Sequence, residues 1–297
     1  MAITFDQVDY AYEANTLWRQ TALQDVNLEL AEGCLNAIAG ASGSGKSTLL
    51  QLLNGILKPT GGRLQVLDVE LAAGVKPPKL RELRRRVGLV FQFPEHQLFE
   101  DTVEKDLCFG PLNFGLSEAE AKDRARQALS RLGLGSELLP RSPFHLSGGQ
   151  MRKVAIASVL AMDPDVLVLD EPTATLDPVS RHELIQLLSR LCREEGKTVI
   201  VVTHRLEEML PFADRWVMMK EGRCRFQGTS AQLVQEAPQL EAEGFTLPDC
   251  IHIWRRLAAA YGLEQEEPCF SAGELAGRIR QLLEEEQGAA AAAQGGQ

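Results

Sequence analysis

"GASGSGKST", residues Gly40 to Thr48, decides how the rest of this chain is read. It fits G-x-x-x-x-G-K-[ST] in full and stands between two segments of different period. "CLNAIAG" ahead of it reads as a short buried strand. Behind it Leu49, Leu50, Leu52, Leu53 and Ile56 recur at helical spacing until "KPTGG" closes the helix. Strand, glycine loop and helix in that order aim backbone N–H groups and the positive end of a helix dipole at one spot, which suits phosphate. Gly40, Ser42, Gly43, Gly45 and Thr48 would shape this cradle, Lys46 would reach the β and γ phosphates, and Ser47 would ligate Mg²⁺. The loop implies a nucleotide and leaves open what its energy drives.

A chain of 297 residues holds one large α/β domain and something smaller. Its net charge of -10 opposes loose adhesion to polyanions, so nucleic acid is not an expected partner. The six cysteines stand far apart with no C-x-x-C pair and no signal peptide ahead of them, which suits reduced thiols in the cytosol. The longest apolar stretches fall short of the ~20 residues that span a bilayer. Any membrane role must go through a partner.

The first thirty residues carry two β-rich stretches around a polar loop, which predicts an antiparallel edge layer. "RRVGLVFQ" predicts a further strand. From about residue 94 to 146 prolines and glycines alternate with amphipathic pieces, where Ser117 and Glu120 form a capping box, and a helical subdomain is expected over about 94–160. "DVLVLDEP" and "KTVIVVTH" are apolar runs separated by a helical pattern, as in a doubly wound parallel sheet. "RWVMMKEGRCRFQG" predicts a hairpin turning at Glu221 and Gly222. The main domain is expected to end at residue 244, a helical extension to occupy 245–287, and the alanine-rich 288–297 to be disordered.

Asp170 and Glu171 close a predicted buried strand, at the sheet edge where α/β proteins bind ligands. Strand alternation cannot put both on one face, so the natural division gives Asp170 to Mg²⁺ and Glu171 to the attacking water as general base. Capping of the next helix is the competing use. His204 ends another strand and could hydrogen-bond the γ-phosphate. Gln92 ends a third and suits Mg²⁺ or the water. Tyr12 could stack on adenine, with Tyr10 the rival choice and plain strand packing open to either.

"HLSGGQMRKVAIA", His145 to Ala157, is a second glycine loop without a lysine. Ser147 and Gln150 fit a capping box, yet the same free N–H groups, hydroxyl and dipole make an anion site. It lacks the cation to neutralise a triphosphate alone. "LSGGQ" shortly before "VLVLDEP", with the phosphate loop ahead, Gln92 between, "TLD" after and His204 beyond, resembles the ATP-binding subunits of ABC transporters. The resemblance covers about residues 3 to 230. It implies an α/β P-loop NTPase fold of ABC type with an antiparallel β edge layer, an inserted helical subdomain and a short C-terminal helical extension. It also implies ATP with Mg²⁺, and a head-to-tail dimer in which Ser147, Gly148, Gly149 and Gln150 bind the γ-phosphate in the partner's site. Asp177 would lie in the loop that crosses the dimer.

"FQFPEHQLFEDTVEKDLCFGPLNFGL" resembles, more narrowly, the energy-coupling factor branch, whose ATPases drive uptake of vitamins or transition metal ions. That branch implies a second ATPase subunit, the same chain or a paralogue, under a transmembrane coupling protein and a substrate-capturing membrane protein. The chain would then sit peripherally at the cytoplasmic face of the cell membrane. Gln97, Leu98, Phe99 and Val103 resemble the family's groove for coupling helices, ordinary subdomain packing being the alternative. The family usually has glycine where this chain has Thr175, so the geometry of the crossing loop and the balance between the two sites stay open. The basic run "KPPKLRELRRR" fits a solvated helix face or a surface toward headgroups or the membrane partner. A conventional ABC importer ATPase, a soluble ABC-type ATPase and a nucleotide-gated scaffold are the competing functions.

Overall fold

The computed structural model describes residues 3–13, 17–76, 79–263 and 265–294. The stop at Leu53 shows how closely the phosphate loop and its flanks are specified. Strand β3 (Leu35–Ala39) is buried along its whole length, and helix α1 starts at Lys46 and ends at Leu53. Gly55, at φ 68, takes the chain out of the helix in a left-handed turn that suits glycine. Ile56 therefore lies beyond the helix and is 44% exposed, a correction to the helical spacing read from the sequence.

Two sheets share the first compact unit, Met1–His204 with Phe212–Gln227. One follows the order β2-β1-β4-β5, from β1 (Ile3–Tyr12), β2 (Gln20–Leu30), β4 (Gly61–Val66) and β5 (Val69–Ala72), with antiparallel β1–β2, β1–β4 and β4–β5 pairs. This is the expected edge layer. The other follows β10-β9-β3-β8-β7-β6, with β6 (Val87–Val90), β7 (Val166–Asp170), β8 (Thr198–Val202) and β9 (Arg215–Lys220) joined to β3 in parallel pairs. β9 continues into β10 (Arg223–Gly228) through Glu221 and Gly222, both at positive φ, the hairpin geometry that the twist of paired strands favours. Leu49, Leu50, Leu52 and Leu53 of α1 lie in one cluster with Ile3, Phe5 and Leu28 of the first sheet and Ile38, Val168 and Ile200 of the second. Each such leucine contributes roughly 1.5–3 kcal/mol of burial.

The remaining helices of this unit are α2 (Leu80–Arg86), α3 (Val103–Asn113), α4 (Glu118–Arg131), α5 (Gly148–Leu160) and α6 (Pro178–Glu195), with 3-10 turns at Pro94–Gln97, Ser136–Leu138 and Pro143–His145. Ser117 caps α4 in the predicted box, its N–H donating to Glu120 Oε2 at 2.9 Å. The basic α2 is tied to its own chain. Arg81 donates to Asn113 O at 2.7 Å, Arg84 to Gly55 O at 3.1 Å, and Arg86 pairs with Asp68 and Asp165. Pro77 and Pro78 of that run lie outside the described residues.

The second unit, Arg205–Pro211 with Gly228–Gln297, is helical: α7 (Leu206–Met209), α8 (Ser230–Gln235), α9 (Ala237–Ala242), α10 (Asp249–Tyr261) and α11 (Ala272–Gln294). Ile251, Trp254 and Ala258 form the buried stripe of α10. Arg278 of α11 makes two bonds to the Glu266 carboxylate, at 2.8 and 2.7 Å. The helical backbone runs to Gln294, into the stretch expected to be disordered from 288. The alanine run explains this, since alanine has the highest helix propensity.

All six cysteines are free thiols. Burial pushes Cys192 up to about 12 and Cys224 up to about 11, which keeps both protonated and unreactive at neutral pH. Among the described residues no helix is long and apolar enough to cross a membrane.

Candidate functional site

The ends of β3, β6, β7 and β8 deliver side chains to one cleft of ≈ 430 Å³, lined by Tyr12, Gly40, Ser42, Gly43, Gly45, Lys46, Ser47, Thr48, Gln92, Asp170, Glu171 and His204, with Gln20, Thr21 and Ala22. Parallel strands put these ends on one edge, so residues far apart in sequence converge. The loop that leaves β3 needs its glycines. Gly45 sits at φ 98, where a Cβ would stand 2.6 Å from Ala22 O, and at Gly40 a Cβ would meet Met219 O at 2.1 Å.

Lys46 is 9% exposed, and its Nζ donates to Gly40 O and Ala41 O at 2.8 Å and to Ser44 Oγ at 3.3 Å. Burial holds its ammonium below the usual lysine range, against the opposing pull of Glu171 and Asp170. Ser47 Oγ donates to Asp170 Oδ2 at 2.7 Å. Burial pushes the Asp170 carboxyl up, opposed by that serine bond. Two hard oxygens, one from the loop and one from a strand end, thus stand side by side, the donor type that suits Mg²⁺.

Glu171 is buried yet sits at φ 49, with its N–H donating to Val202 O at 2.9 Å. Strand alternation predicts opposite faces for residues 170 and 171. The left-handed turn at Glu171 breaks that alternation, and both carboxylates line the cleft. A non-glycine residue held in this conformation stores about 1–3 kcal/mol of strain, a feature that concentrates at functional sites. Glu171 Oε1 lies 2.8 Å from His204 Nδ1, and its Oε2 is buried without a hydrogen-bond partner. A buried carboxylate oxygen left unsatisfied beside a phosphate cradle is costly to the fold alone, which marks Glu171 as a candidate functional group.

Tyr12, not Tyr10, lines the cleft. Its hydroxyl lies 3.1 Å from Thr48 Oγ1, whereas Tyr10 packs against the core. Gln92 lines the cleft with an exposed side chain, and its carbonyl accepts from Arg152 Nη2 at 2.9 Å. None of Ser147, Gly148, Gly149 and Gln150 lines it. They stand at the start of α5, Ser147, Gly148 and Gly149 exposed and Gln150 half-buried, where Ser147 and Gln150 make the predicted capping box at 3.2 and 3.3 Å. A Cβ at Gly148 or Gly149 would meet nothing within 4 Å. Asp177 caps α6, accepting from Val179 N and Ser180 N at 3.0 Å, and these bonds hold its carboxyl below the usual range.

Two expectations for the segment after Gln92 change. Leu98 and Val103 are buried, at 6% and 0% exposure, so neither lines an open groove. The exposed apolar surface is made instead by Phe99 and Phe109, edge to face at 4.9 Å, with Leu112 also exposed one turn further along α3. Asp106 orients this surface by accepting the Phe99 and Glu100 N–H groups. Arg152 is a site-supporting residue that the sequence does not mark: it is a charged residue inside the apolar face of "MRKVAIA", where nothing local indicates a partner.

A profile of the ABC transporter family matches residues 23–174. The chain is 48% identical over 283 residues to the energy-coupling factor transporter ATP-binding protein EcfA2 of Bacillus anthracis, covering 95% of this chain and 97% of that protein. It is 46% identical to the protein of the same name from Geobacillus kaustophilus, covering 95% and 98%. Among solved structures, cbiO1 of Clostridium perfringens, part of the ABC transporter complex cbiONQ, superposes with a TM-score of 0.69 at 36% identity, covering 84% of this chain and 97% of that one. The dimeric, post-hydrolysis ATP-binding cassette MJ0796 bound to ADP and Pi gives 0.70 at 31% identity, covering 77% and 98%.

Proposed function

The chain belongs to the ABC transporter family, and within it to the energy-coupling factor transporter ATP-binding proteins; from that premise we propose how its residues divide the work of hydrolysing ATP for transport. The phosphates lie in the loop from Gly40 to Thr48, where Gly40, Ser42, Gly43 and Gly45 let backbone N–H groups turn inward and Lys46 neutralises the β and γ oxygens. Tyr12 stacks on the adenine. Ser47, Asp170 and Gln92 would hold Mg²⁺, which would supply neutralisation of phosphate charge. Glu171 orients and deprotonates the attacking water, which its unpartnered Oε2 accepts. His204 fixes Glu171 through Oε1 and reaches toward the γ-phosphate.

The observation that carries a dimeric site is the separation of the two glycine loops. Ser147 to Gln150 do not line this chain's own cleft, and Gly148 and Gly149 have open space where a side chain would fit. Glycine in a helical turn costs roughly 0.5–1 kcal/mol relative to alanine, so the fold alone does not ask for either residue. A partner ATPase whose phosphates approach that backbone closely does. Asp177 contributes from the crossing loop to the same interface.

The membrane partners are a transmembrane coupling protein, received on the Phe99–Phe109 surface, and a substrate-capturing membrane protein. A vitamin or a transition metal ion is the cargo. The helical subdomain lies at about 94–160, and residues 245–287 help hold the dimer. The chain works peripherally at the cytoplasmic face of the cell membrane. Isolation of the intact complex with mass identification of its subunits tests this: membrane proteins of both kinds and a second ATPase, identical or paralogous, are expected. Recovery of the chain with neither membrane protein overturns the proposal.

A further inference from the structure

The guanidinium of Arg152 is fully buried, and its five N–H groups meet five acceptors. Nε donates to Pro172 O at 2.9 Å, and Nη2 to Gln92 O at 2.9 Å and Glu171 O at 2.7 Å. Nη1 donates to Thr175 Oγ1 at 3.2 Å and Glu95 Oε2 at 3.5 Å. One planar group on α5 therefore fixes the loop that carries Gln92 and the loop that carries Glu171. Thr175 is the bond that extends this hold toward Asp177, since it stands between Glu171 and Asp177 and offers Arg152 a side-chain hydroxyl where a glycine would offer none.

We propose that Thr175 is a positioning residue that, through Arg152, ties the loop leading to Asp177 to the backbone of Glu171 and so makes water activation in this chain's cleft depend on closure of the dimer. Asp177 meets the partner when the dimer closes. Its displacement pulls on Thr175, and the guanidinium passes the displacement to the Glu171 carbonyl, one residue's length from the carboxylate that holds the water. The relay presupposes that Glu171 activates the water, as proposed above. It adds a device that couples the two ATP sites through this chain's own loop.

Thr175→Val removes the hydroxyl and keeps the shape, while Thr175→Ser keeps the hydroxyl. Both are measured in the complete transporter complex for kcat, KM for ATP, Hill coefficient and melting temperature. Thr175→Val is expected to lower kcat by about 3- to 30-fold, the range of coupling changes made by residues between sites. KM and melting temperature stay at wild-type values and the Hill coefficient falls toward one. Thr175→Ser restores kcat to within about twofold of wild type. Should Thr175→Val lower the melting temperature, Thr175→Ala must give the same kcat loss at wild-type stability. Unchanged kcat and Hill coefficient in Thr175→Val, a rise in KM alone, or failure of Thr175→Ser to restore activity overturns the relay. Glu171→Gln in the same complex separates the two proposals. Persistent hydrolysis at this chain's site removes the general base itself, whereas blocked hydrolysis beside a normal Thr175→Val removes only the relay.

Discussion

His204 and Glu171 meet across the ends of two neighbouring strands, Nδ1 to Oε1 at 2.8 Å, so that one carboxylate oxygen is held by the imidazole and the other is buried without a partner. An amide in place of the carboxylate keeps the shape and loses the base. Glu171→Gln is expected to reduce hydrolysis at this chain's site by at least ~10²-fold, the low end for loss of a general base, and to trap an ATP-bound dimer. Single-turnover hydrolysis and size-exclusion chromatography with ATP check both effects. A variant that turns over normally would remove Glu171 from the role.

Gly148 and Gly149 give the dimer a test that separates folding from function. Gly149→Ala leaves the isolated chain as stable or more stable, by up to about 1 kcal/mol, because its Cβ enters open space and alanine favours helix. The same methyl is expected to block ATP-dependent association and to lower hydrolysis at the partner's site by tenfold or more, toward the ~10²–10³ lost with a whole oxyanion donor. Urea unfolding of the monomer and ATP-driven dimerisation are the two measurements.

The acidity of the cleft follows from Asp170. Burial raises its carboxyl above the ordinary value, so the folded chain binds that proton more tightly than the unfolded chain does. Stability attributable to this group is therefore expected to fall as pH rises from the ordinary aspartate value through the raised folded value, and to recover on acidification. The bond from Ser47 opposes the rise, so Ser47→Ala is expected to move the Asp170 titration further up. Carboxyl chemical shifts followed by NMR in the nucleotide-free protein check this. A downward move in Ser47→Ala contradicts it.

Phe99→Asp is expected to spare ATP hydrolysis by the isolated ATPase and to weaken its assembly with the membrane subunit, because a charge replaces half of an exposed aromatic pair. Asp106→Ala should show a milder form of the same defect. It leaves the Phe99 and Glu100 N–H groups without their acceptor, at about 1–3 kcal/mol where such a group stays unsatisfied. Co-purification of each variant with the membrane subunit gives the comparison. Normal assembly of Phe99→Asp removes that surface from the interface.

Features set by neighbouring residues were legible in the sequence. The phosphate loop, the capping boxes at Ser117 and Ser147 and the turn at Glu221 and Gly222 each depend on a few adjacent side chains and stand where the pattern predicts. Features set by tertiary contact were not. Nothing in "VLVLDEP" announces a left-handed Glu171, because the conformation is imposed from outside, where its N–H meets Val202 O on the next strand. Leu98 and Val103 look as available as Phe99 in the sequence, and only packing separates the buried pair from the exposed ring. Arg152 is the extreme case, since its acceptors come from two other loops and none is closer than Glu171 in the chain.

The complete satisfaction of Arg152 also bears on how abruptly this subunit can switch. A guanidinium with spare donors could slide by degrees, losing one bond while gaining another from solvent. With five donors engaged and no exposed surface, a rotation of α5 against the sheet must break several bonds together before any replacement forms. Intermediate positions are penalised, and the helix has a threshold where a flexible joint would have a gradient. Transport strokes in a complex built on this chain should therefore come as discrete events of uniform amplitude, with nucleotide concentration setting their frequency and leaving their size unchanged.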